Sequence, residues 1–564
     1  MGRIAGGLGL FLKHPVDQSS AGARVLQYAL LAIACAALYG NFLSSPLVLD
    51  DLVLGEIGRP GTLRTILGLD LRWLPYVSIE WTRALMGDEL HWLRLGNLAL
   101  HVANASLLFL LFGRLFASVL PEESRVPAAL PLSWLAFSGA LLFALNPAAV
   151  YGVAYLIQRS ILMATLFSLA TWILFLEGLI RDQRRWLWAS TLAYALAVFS
   201  KEHAVMAPAV ALVLLLLLRG PDKRLLARVW PVFLLYAATA ALVVLPIKSF
   251  GIIGAAYEPD GARLLATQHV DPRNPYPLAL LTQGYLYFKY LLLWIVPNPA
   301  WMSIDMVERF APRLWAWPET AGLIAFALYP LAALRLLWQR GRKGLLGFAL
   351  LAPWLMFATE ISTVRIQEIF VLYRSYLWMP CIFASLPFLV HKLAARQSAI
   401  VLGAIILALV PASWYQLTRF ADPLLLWSDT LALARDKHNP IKLGRIYHNR
   451  GMAYLNKPRY EEAIRDFTEG IRLLPTHNLL YNDRALAYLM TRRYREALKD
   501  YNVAILLDPN YYRSYWGRAK VFDALGDQAA ARKDYARSCA LGVQEVCGKA
   551  TGEKKSEIST SAPT

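Results

Sequence analysis

The sequence predicts an all-α protein in two parts: a polytopic transmembrane helical bundle with about eleven crossings, then a C-terminal solenoid of helical repeats. Three observations predict it. Apolar residues make up 57% of the 564 and the mean hydropathy is +0.41, above the ~45–50% apolar content of a soluble globular chain. The apolar excess fills the chain as far as residue 415 and then stops. Beyond it, small residues, aromatics and prolines recur with a period of 34.

Candidate spans lie near 25–45, 96–118, 132–148, 160–179, 185–200, 203–219, 228–248, 319–338, 344–360, 373–391 and 398–415. Each approaches the roughly 20 residues that a bilayer crossing needs. The first run is long enough to span, so no cleavable signal peptide is expected. The net charge of +18 raises the question of nucleic acid. Its placement argues against such a partner, because Lys and Arg cluster in short loops between apolar runs, where the positive-inside rule puts them.

Charge parity orients the bundle. The loops holding Arg114 and Arg125, then Arg181, Arg184 and Arg185, then Arg219, Lys223, Arg224 and Arg228 alternate correctly if the N-terminus is cytoplasmic. The loops with Arg340, Arg342 and Lys343, and with Lys392 and Arg396, fall inside only if the apolar run 278–297, which contains Lys289, does not cross. That run is therefore expected to be re-entrant or interfacial, covered by protein or lining a cavity. Eleven crossings then place the C-terminal domain on the face opposite the cytoplasm, together with residues 46–95, 148–159, 200–203, 249–318 and 361–372.

The repeats carry their own pattern. The first has Gly451, Tyr454, Tyr460, Ala463, Phe467 and Pro475; the second has Ala485, Tyr488, Tyr494, Ala497, Tyr501, Ala504 and Pro509; the third has Ala519, Phe522, Gly526, Ala531 and Tyr535. Small residues let paired helices approach, aromatics fill the seam and Pro ends the second helix. A period of 34 with these residues is the tetratricopeptide-repeat (TPR) signature. The expected domains are 1–418 for the bundle, 419–443 for a lead-in helix and linker, 444–548 for three TPRs and 549–564 for a disordered tail. The concave face of such a solenoid takes a peptide or partner protein. Cys35 and Cys381 lie in apolar runs as core residues. Cys539 and Cys547, eight apart, are either a disulfide permitted by an oxidising compartment or two free thiols.

Chemistry-bearing residues gather at the span ends. Asp50-Asp51 follows the first span, and two carboxylates at a membrane surface are costly to leave idle. They fit a general base or a divalent-metal pair, against the plainer reading of a solvated loop edge. Arg72 and Trp73 share that loop, and Asn97 and His101 lie in the second span, where a His also serves simply to bond a neighbouring helix. Asn146-Pro147, Tyr151 and Gln158-Arg159-Ser160 follow. Ser200-Lys201-Glu202-His203 separates two spans with almost no loop, which suggests a cavity. Arg374 and Tyr376 open a later span. Arg159, Lys201 and Arg374 are three cations on one face under the parity above, the clamp a lipid phosphate needs.

On these residues the chain resembles the GT-C superfamily of membrane glycosyltransferases, and more narrowly the transmembrane-and-TPR protein O-mannosyltransferases and their bacterial relatives. Leu49-Asp50-Asp51 resembles the acidic pair of the first loop. His91–His101 (HWLRLGNLALH) resembles the opening of the second span. Asn146–Arg159 resembles a segment that usually starts His-Pro and ends Gly-Arg, and Ser200-Lys201-Glu202 a Ser-Lys-Glu motif. Thr282–Asp305 and Arg374–Pro380 are weaker matches. The chain departs where Asn146 replaces the His, Tyr151 the acidic residue four positions after Pro147, and Gln158 the Gly. These departures bear on donor, acceptor and any metal site rather than on the fold.

The resemblance implies an integral membrane enzyme, of a bacterial inner membrane, with the TPR domain periplasmic. It would move a sugar from a polyprenyl-phosphate donor to a protein hydroxyl. Asp50 or Asp51 would be the catalytic base, and Arg159, Lys201 and Arg374 would hold the donor phosphate. Arg72, His101, Glu202, His203 and Tyr376 would support them. The alternatives are transfer to a lipid or polysaccharide, and a non-catalytic membrane-anchored TPR scaffold. A transporter is disfavoured, since no paired Gly/Pro-broken spans recur in two halves.

Overall fold

The computed structural model describes residues 21–49, 51, 72–120, 129–220, 223–249, 275–366, 368–434 and 439–551, and it is helical throughout. Asp50 and residues 552–564 lie outside the described residues. The chain forms two units. The first holds residues up to Ile304 and Glu308–Asp422; the second holds Asp305–Val307 and the chain from Pro423.

Among the described residues of the first unit, eight helices are long and apolar enough to cross a membrane, or nine if one bent pair counts as a span. The difference from eleven has local causes. The runs expected at 185–200 and 203–219 fold as Arg184–Ser200 and Ala207–Leu218, of 17 and 12 residues. The run at 373–391 is broken into short pieces, Ser375–Trp378, Pro380–Ser385 and Leu386–Leu389. Pro380 and Pro387 each remove a backbone donor and crowd the preceding turn, which prevents one regular helix. The run at 132–148 is the bent pair, Leu132–Ala144 and Pro147–Val153, turned by 63°. Pro147 cannot continue the first helix, and Asn146 caps the second by accepting from the Ala148 amide at 3.0 Å.

The segment expected to be re-entrant is corrected by the structure. Tyr276–Ile295 is one continuous 20-residue helix, long and apolar enough to cross. It packs tightly on Glu319–Trp338, where a Cβ on Gly322 would come within 2.5 Å of the Tyr285 backbone. Lys289 is accommodated by an ion pair with Glu308 and by the Phe370 ring, 5.2 Å away. The parity argument required this segment not to cross, so it no longer fixes the side of the repeat domain. Two of the loop charges it counted are also inside the bundle: Arg114 pairs with Glu177 at 3.0 Å and Arg181 pairs with the same carboxylate.

The centre of the bundle is the span Leu156–Ile180, of whose most apolar window 78% is buried, against 22% for Leu225–Ser249 and Ala395–Ala421. The outer helices expose large apolar side chains, among them Leu242, Leu331 and Leu407. So broad an apolar surface is costly in water and is of the kind a lipid bilayer would cover.

The second unit begins with the helix Pro423–Ala434, the expected lead-in element. Three helix pairs follow: Pro440–Leu455 with Tyr460–Leu473, Asn478–Met490 with Tyr494–Leu507, and Tyr512–Leu525 with Gln528–Ala540. Ala463, Phe467, Ala485, Ala497, Tyr501, Ala519, Ala531 and Tyr535 are buried in the seams. Each pair is also clasped by a bidentate ion pair with a spacing of 16. Arg450 binds Asp466 through two bonds of 2.7 Å, Arg484 binds Asp500 at 2.7 and 2.9 Å, and Arg518 binds Asp534 at 2.7 and 2.8 Å. The planar guanidinium matches the carboxylate fork, which adds geometry to charge. Cys539, in the last helix of the third repeat, is joined to Cys547 by a disulfide.

Within this unit Asp305 accepts from Lys442 Nζ at 3.0 Å and from Arg445 Nη2 at 2.6 Å. Burial raises its carboxyl, but Arg445 and Lys442 outweigh that and hold it below the usual carboxylate range. Between the second and third repeats Gly517 faces the Tyr501 ring, and an added Cβ would lie 2.3 Å from it. Gly517→Ala is therefore expected to destabilise the solenoid by about 1–3 kcal/mol through overpacking. Thermal melting followed by circular dichroism checks this; an unchanged melt would mean that Tyr501 moves aside freely.

Candidate functional site

The loop after the first span is tied down by one acid and one base. Asp51 is fully buried; its Oδ1 accepts from the Ile157 amide at 2.8 Å and its Oδ2 from the amides of Val48 and Leu156, both at 3.3 Å. Arg94 completes the knot by donating to the carbonyls of Ser45, Pro46 and Ala154 at 3.0, 2.6 and 2.6 Å. Burial pushes the Asp51 carboxyl up to about 6, against the pull of the three amides and of Arg94. Asp51 therefore fastens this loop to the turn before the central helix. Three amide bonds and full burial fit a positioning residue better than the base expected from the sequence.

This has a pH consequence. A carboxyl whose folded pKa lies above its unfolded value of about 3.9 contributes stability at low pH and loses it as pH rises toward 6. Asp51→Asn is expected to flatten stability between pH 4 and 6, and to cost about 1–3 kcal/mol at pH 7 by leaving one amide without its acceptor. Melting temperatures across that range read both effects, and an identical pH slope in the variant would exclude the assignment.

Arg159 is corrected as well. It is 2% exposed and its donors are taken by protein: Asn97 Oδ1 at 2.9 Å, Thr82 Oγ1 at 3.0 Å, and the carbonyls of Ser78 and Leu93 at 3.1 and 2.6 Å. It stitches the helices Trp73–Met86 and Leu90–Val119 to its own, Arg159–Ile180. His101 and Tyr376 likewise form a core contact. The Tyr376 hydroxyl lies 2.7 Å from His101 Nδ1 and accepts from Asn104 at 3.2 Å, while His101 Nε2 is 3.0 Å from the Ala144 carbonyl. A carbonyl cannot donate, so Nε2 carries the proton and Nδ1 accepts from the tyrosine. Both residues are fully buried and act on helix packing.

The remaining predicted residues do converge. Arg72, left-handed at φ 69° as it enters the helix Trp73–Met86, donates from Nε to Glu202 at 2.9 Å and makes a second bond to the same carboxylate. His203 Nδ1 lies 3.3 Å from Glu202, while its Nε2 accepts from Arg365 at 3.2 Å and lies 3.2 Å from Glu360. Glu360 also holds Arg365 at 3.2 Å and Arg374 at 3.3 Å, and Arg374 reaches Glu368. Lys201 and Arg374 both approach the Tyr373 ring, at 5.5 and 5.8 Å, and Lys201 Nζ donates to Gln158 at 3.2 Å. Opposite charge from Glu202 leaves the Arg72 guanidinium more firmly protonated than usual.

This network opens onto a cavity of about 500 Å³. Its lining includes Arg72, Glu202, His203 and Arg365 together with the apolar Val205, Met206, Val243, Val244 and Ile247. Glu360, Arg365 and Glu368 were not singled out from sequence. The available signal was three charges within nine positions beside a span, in a loop that reads as solvated. Arg94 was also missed, although it lies inside HWLRLGNLALH. Among the described residues no group of three or more His, Cys, Asp or Glu side chains is placed to hold a metal ion.

Comparison with known proteins bears on the C-terminal unit. The tetratricopeptide-repeat family matches residues 444–477 and 479–511. No curated protein matches the chain. The chain is similar to the second TPR domain of the human RPAP3 protein, solved in complex with an HSP70 peptide, at 30% identity over 21% of this chain and 98% of that one, with a TM-score of 0.19. It is also similar, at 15% identity over 85% of this chain and 88% of the other, to a chain of the APC/C hetero-tetramer Cut9–Hcn1, with a TM-score of 0.22. With two repeats matched and a third of the same build following in register, the C-terminal unit belongs to the tetratricopeptide-repeat family.

Proposed function

We propose that the chain is a membrane glycosyltransferase that takes a sugar from a polyprenyl-phosphate lipid and passes it to a hydroxyl of a protein acceptor. The observation that carries this reading is the cavity lined by both charged and aliphatic side chains. That combination fits an amphiphile with an anionic head. Arg72 and Arg365 face the phosphate, Lys201 and Arg374 add positive charge behind them, and the prenyl chain lies along Val205, Met206, Val243, Val244 and Ile247. In the reaction the acceptor oxygen attacks the anomeric carbon as the bond from that carbon to the phosphate oxygen breaks. The polyprenyl phosphate leaves with the electron pair, and Asp50 takes the acceptor proton. The cations act where charge grows, on the leaving phosphate.

The TPR unit recruits the protein acceptor and raises its local concentration by tethering. The Cys539–Cys547 disulfide supports an oxidising compartment for this unit, and with it the face opposite the cytoplasm. Purified protein given a polyprenyl-phosphate sugar is expected to release polyprenyl phosphate. Removal of residues 440–564 should lower transfer to the native acceptor far more than donor hydrolysis. Absence of lipid-linked sugar turnover in the intact, folded protein, with glycoproteins unchanged on deletion of the gene, would leave a membrane-anchored scaffold.

A further inference from the structure

The charged lining of the cavity contains its own anion. Glu202 engages Arg72 side-on, Nε at 2.9 Å and a second nitrogen on the other oxygen, and so occupies one edge of the guanidinium. This is the two-pronged geometry in which a guanidinium also binds a phosphate. The two side chains are not sealed in, with 39% of the Arg72 side chain and 20% of the Glu202 side chain exposed, and both line the cavity. Glu202 moreover has a second cation-capable neighbour, His203 Nδ1 at 3.3 Å. The carboxylate can therefore shift toward His203 when Arg72 is claimed by another anion. Arg365, the other lining cation, is held from behind by Glu360, which is 1% exposed. The two arginines thus differ: one is locked to a buried acid, the other to an acid that shares the cavity with the ligand.

We infer that Glu202 is an internal stand-in for the phosphate of an isoprenoid-phosphate lipid, competing with it for Arg72 and setting how tightly the lipid head is held. The inference rests on the glycosyltransferase reading of the same cavity. It has a chemical rationale. The donor is a phosphodiester with one negative charge, whereas the released lipid is a monoester of about −1.5 to −2 at neutral pH. A carboxylate beside the site repels the product more than the donor, so Glu202 favours product departure. Without it, Arg72 would hold the monoester as tightly as the geometry allows and the site would empty slowly.

The experiment measures binding of farnesyl phosphate to the full-length protein in detergent, with farnesol and inorganic phosphate as tail-only and head-only arms. Glu202→Gln keeps the shape and one acceptor oxygen but removes the charge. It is expected to bind farnesyl phosphate at least tenfold more tightly than the parent, with farnesol unchanged and inorganic phosphate weak in both. Glu202→Asp keeps the charge but withdraws it from Arg72 by one methylene, so it should tighten binding by less. It also provides the comparison if the Gln variant does not fold. Equal or weaker binding of farnesyl phosphate by the variants, with the parent still binding it, would overturn the stand-in role and leave the glycosyltransferase reading intact. No binding of farnesyl phosphate by the parent or either variant would overturn both. A gain seen equally with inorganic phosphate would assign the site to free phosphate instead, against the proposal.

Discussion

Asp50→Asn is expected, under the proposed reaction, to lower sugar transfer by about 10²–10⁴-fold, the contribution of a general base. The argument runs through its neighbour. Asp51 has its two oxygens committed to three backbone amides and is fully buried. Of the acidic pair, only Asp50 is then left to take a proton from an acceptor. Asn preserves the size and one oxygen while removing basicity, so substrate binding should change little and the loss should fall on kcat. Single-turnover transfer from a polyprenyl-phosphate sugar separates the two. Full activity in the Asn variant would remove the acidic pair from the chemistry, and the base would have to be sought elsewhere.

Glu360→Ala carries the second large expectation, this time on stability. Glu360 is 1% exposed and compensates Arg365 and Arg374 at 3.2 and 3.3 Å, with His203 at 3.2 Å. Deleting one partner of a buried ion pair strands the others without the water that would solvate them, at a cost of about 3–5 kcal/mol. The variant should melt well below the parent in detergent and accumulate poorly in the membrane. Glu360→Gln, which retains the acceptor oxygen, should recover part of the loss. A variant as stable as the parent would show that Glu368 or solvent in the cavity balances the arginines unaided.

What was legible in the sequence depended on whether a residue's partner was another side chain with a tell-tale spacing. The repeats were legible because Gly451, Ala485 and Ala519 recur at 34 and each sits before an aromatic three positions on. The broken turn Ser200-Lys201-Glu202-His203 was legible because four polar residues stood between two apolar runs, and Arg72, Lys201, Glu202, His203 and Arg374 do meet. The setting of Arg159 was not legible because two of its four partners are backbone carbonyls, which leave no mark on a sequence. Asp51 was misjudged for the same reason, through amides. Glu360 was passed over because an acid near the end of an apolar run looks solvated until its three basic partners are known. Tyr276–Ile295 was placed by counting charges, and that count could not see that Lys289 is balanced by Glu308.

The clasps of the repeat domain have a mechanical corollary. Each Arg–Asp fork joins the two helices of a single repeat by two bonds, whereas side-chain contacts from one repeat to the next are single ones: Ser514 to Asn482, Arg484 to Thr468 and Arg518 to Asn502 end on neutral oxygens, and His448 reaches the Asp483 carboxylate at 2.6 Å. Bidentate, directional pairs therefore stiffen the units, and single bonds lie along the joints. Such a stack behaves as a chain of rigid plates on compliant hinges. It can tighten or relax its curvature around a guest without breaking an Arg–Asp fork, and an elastic cradle of that kind suits protein partners that differ in length and shape.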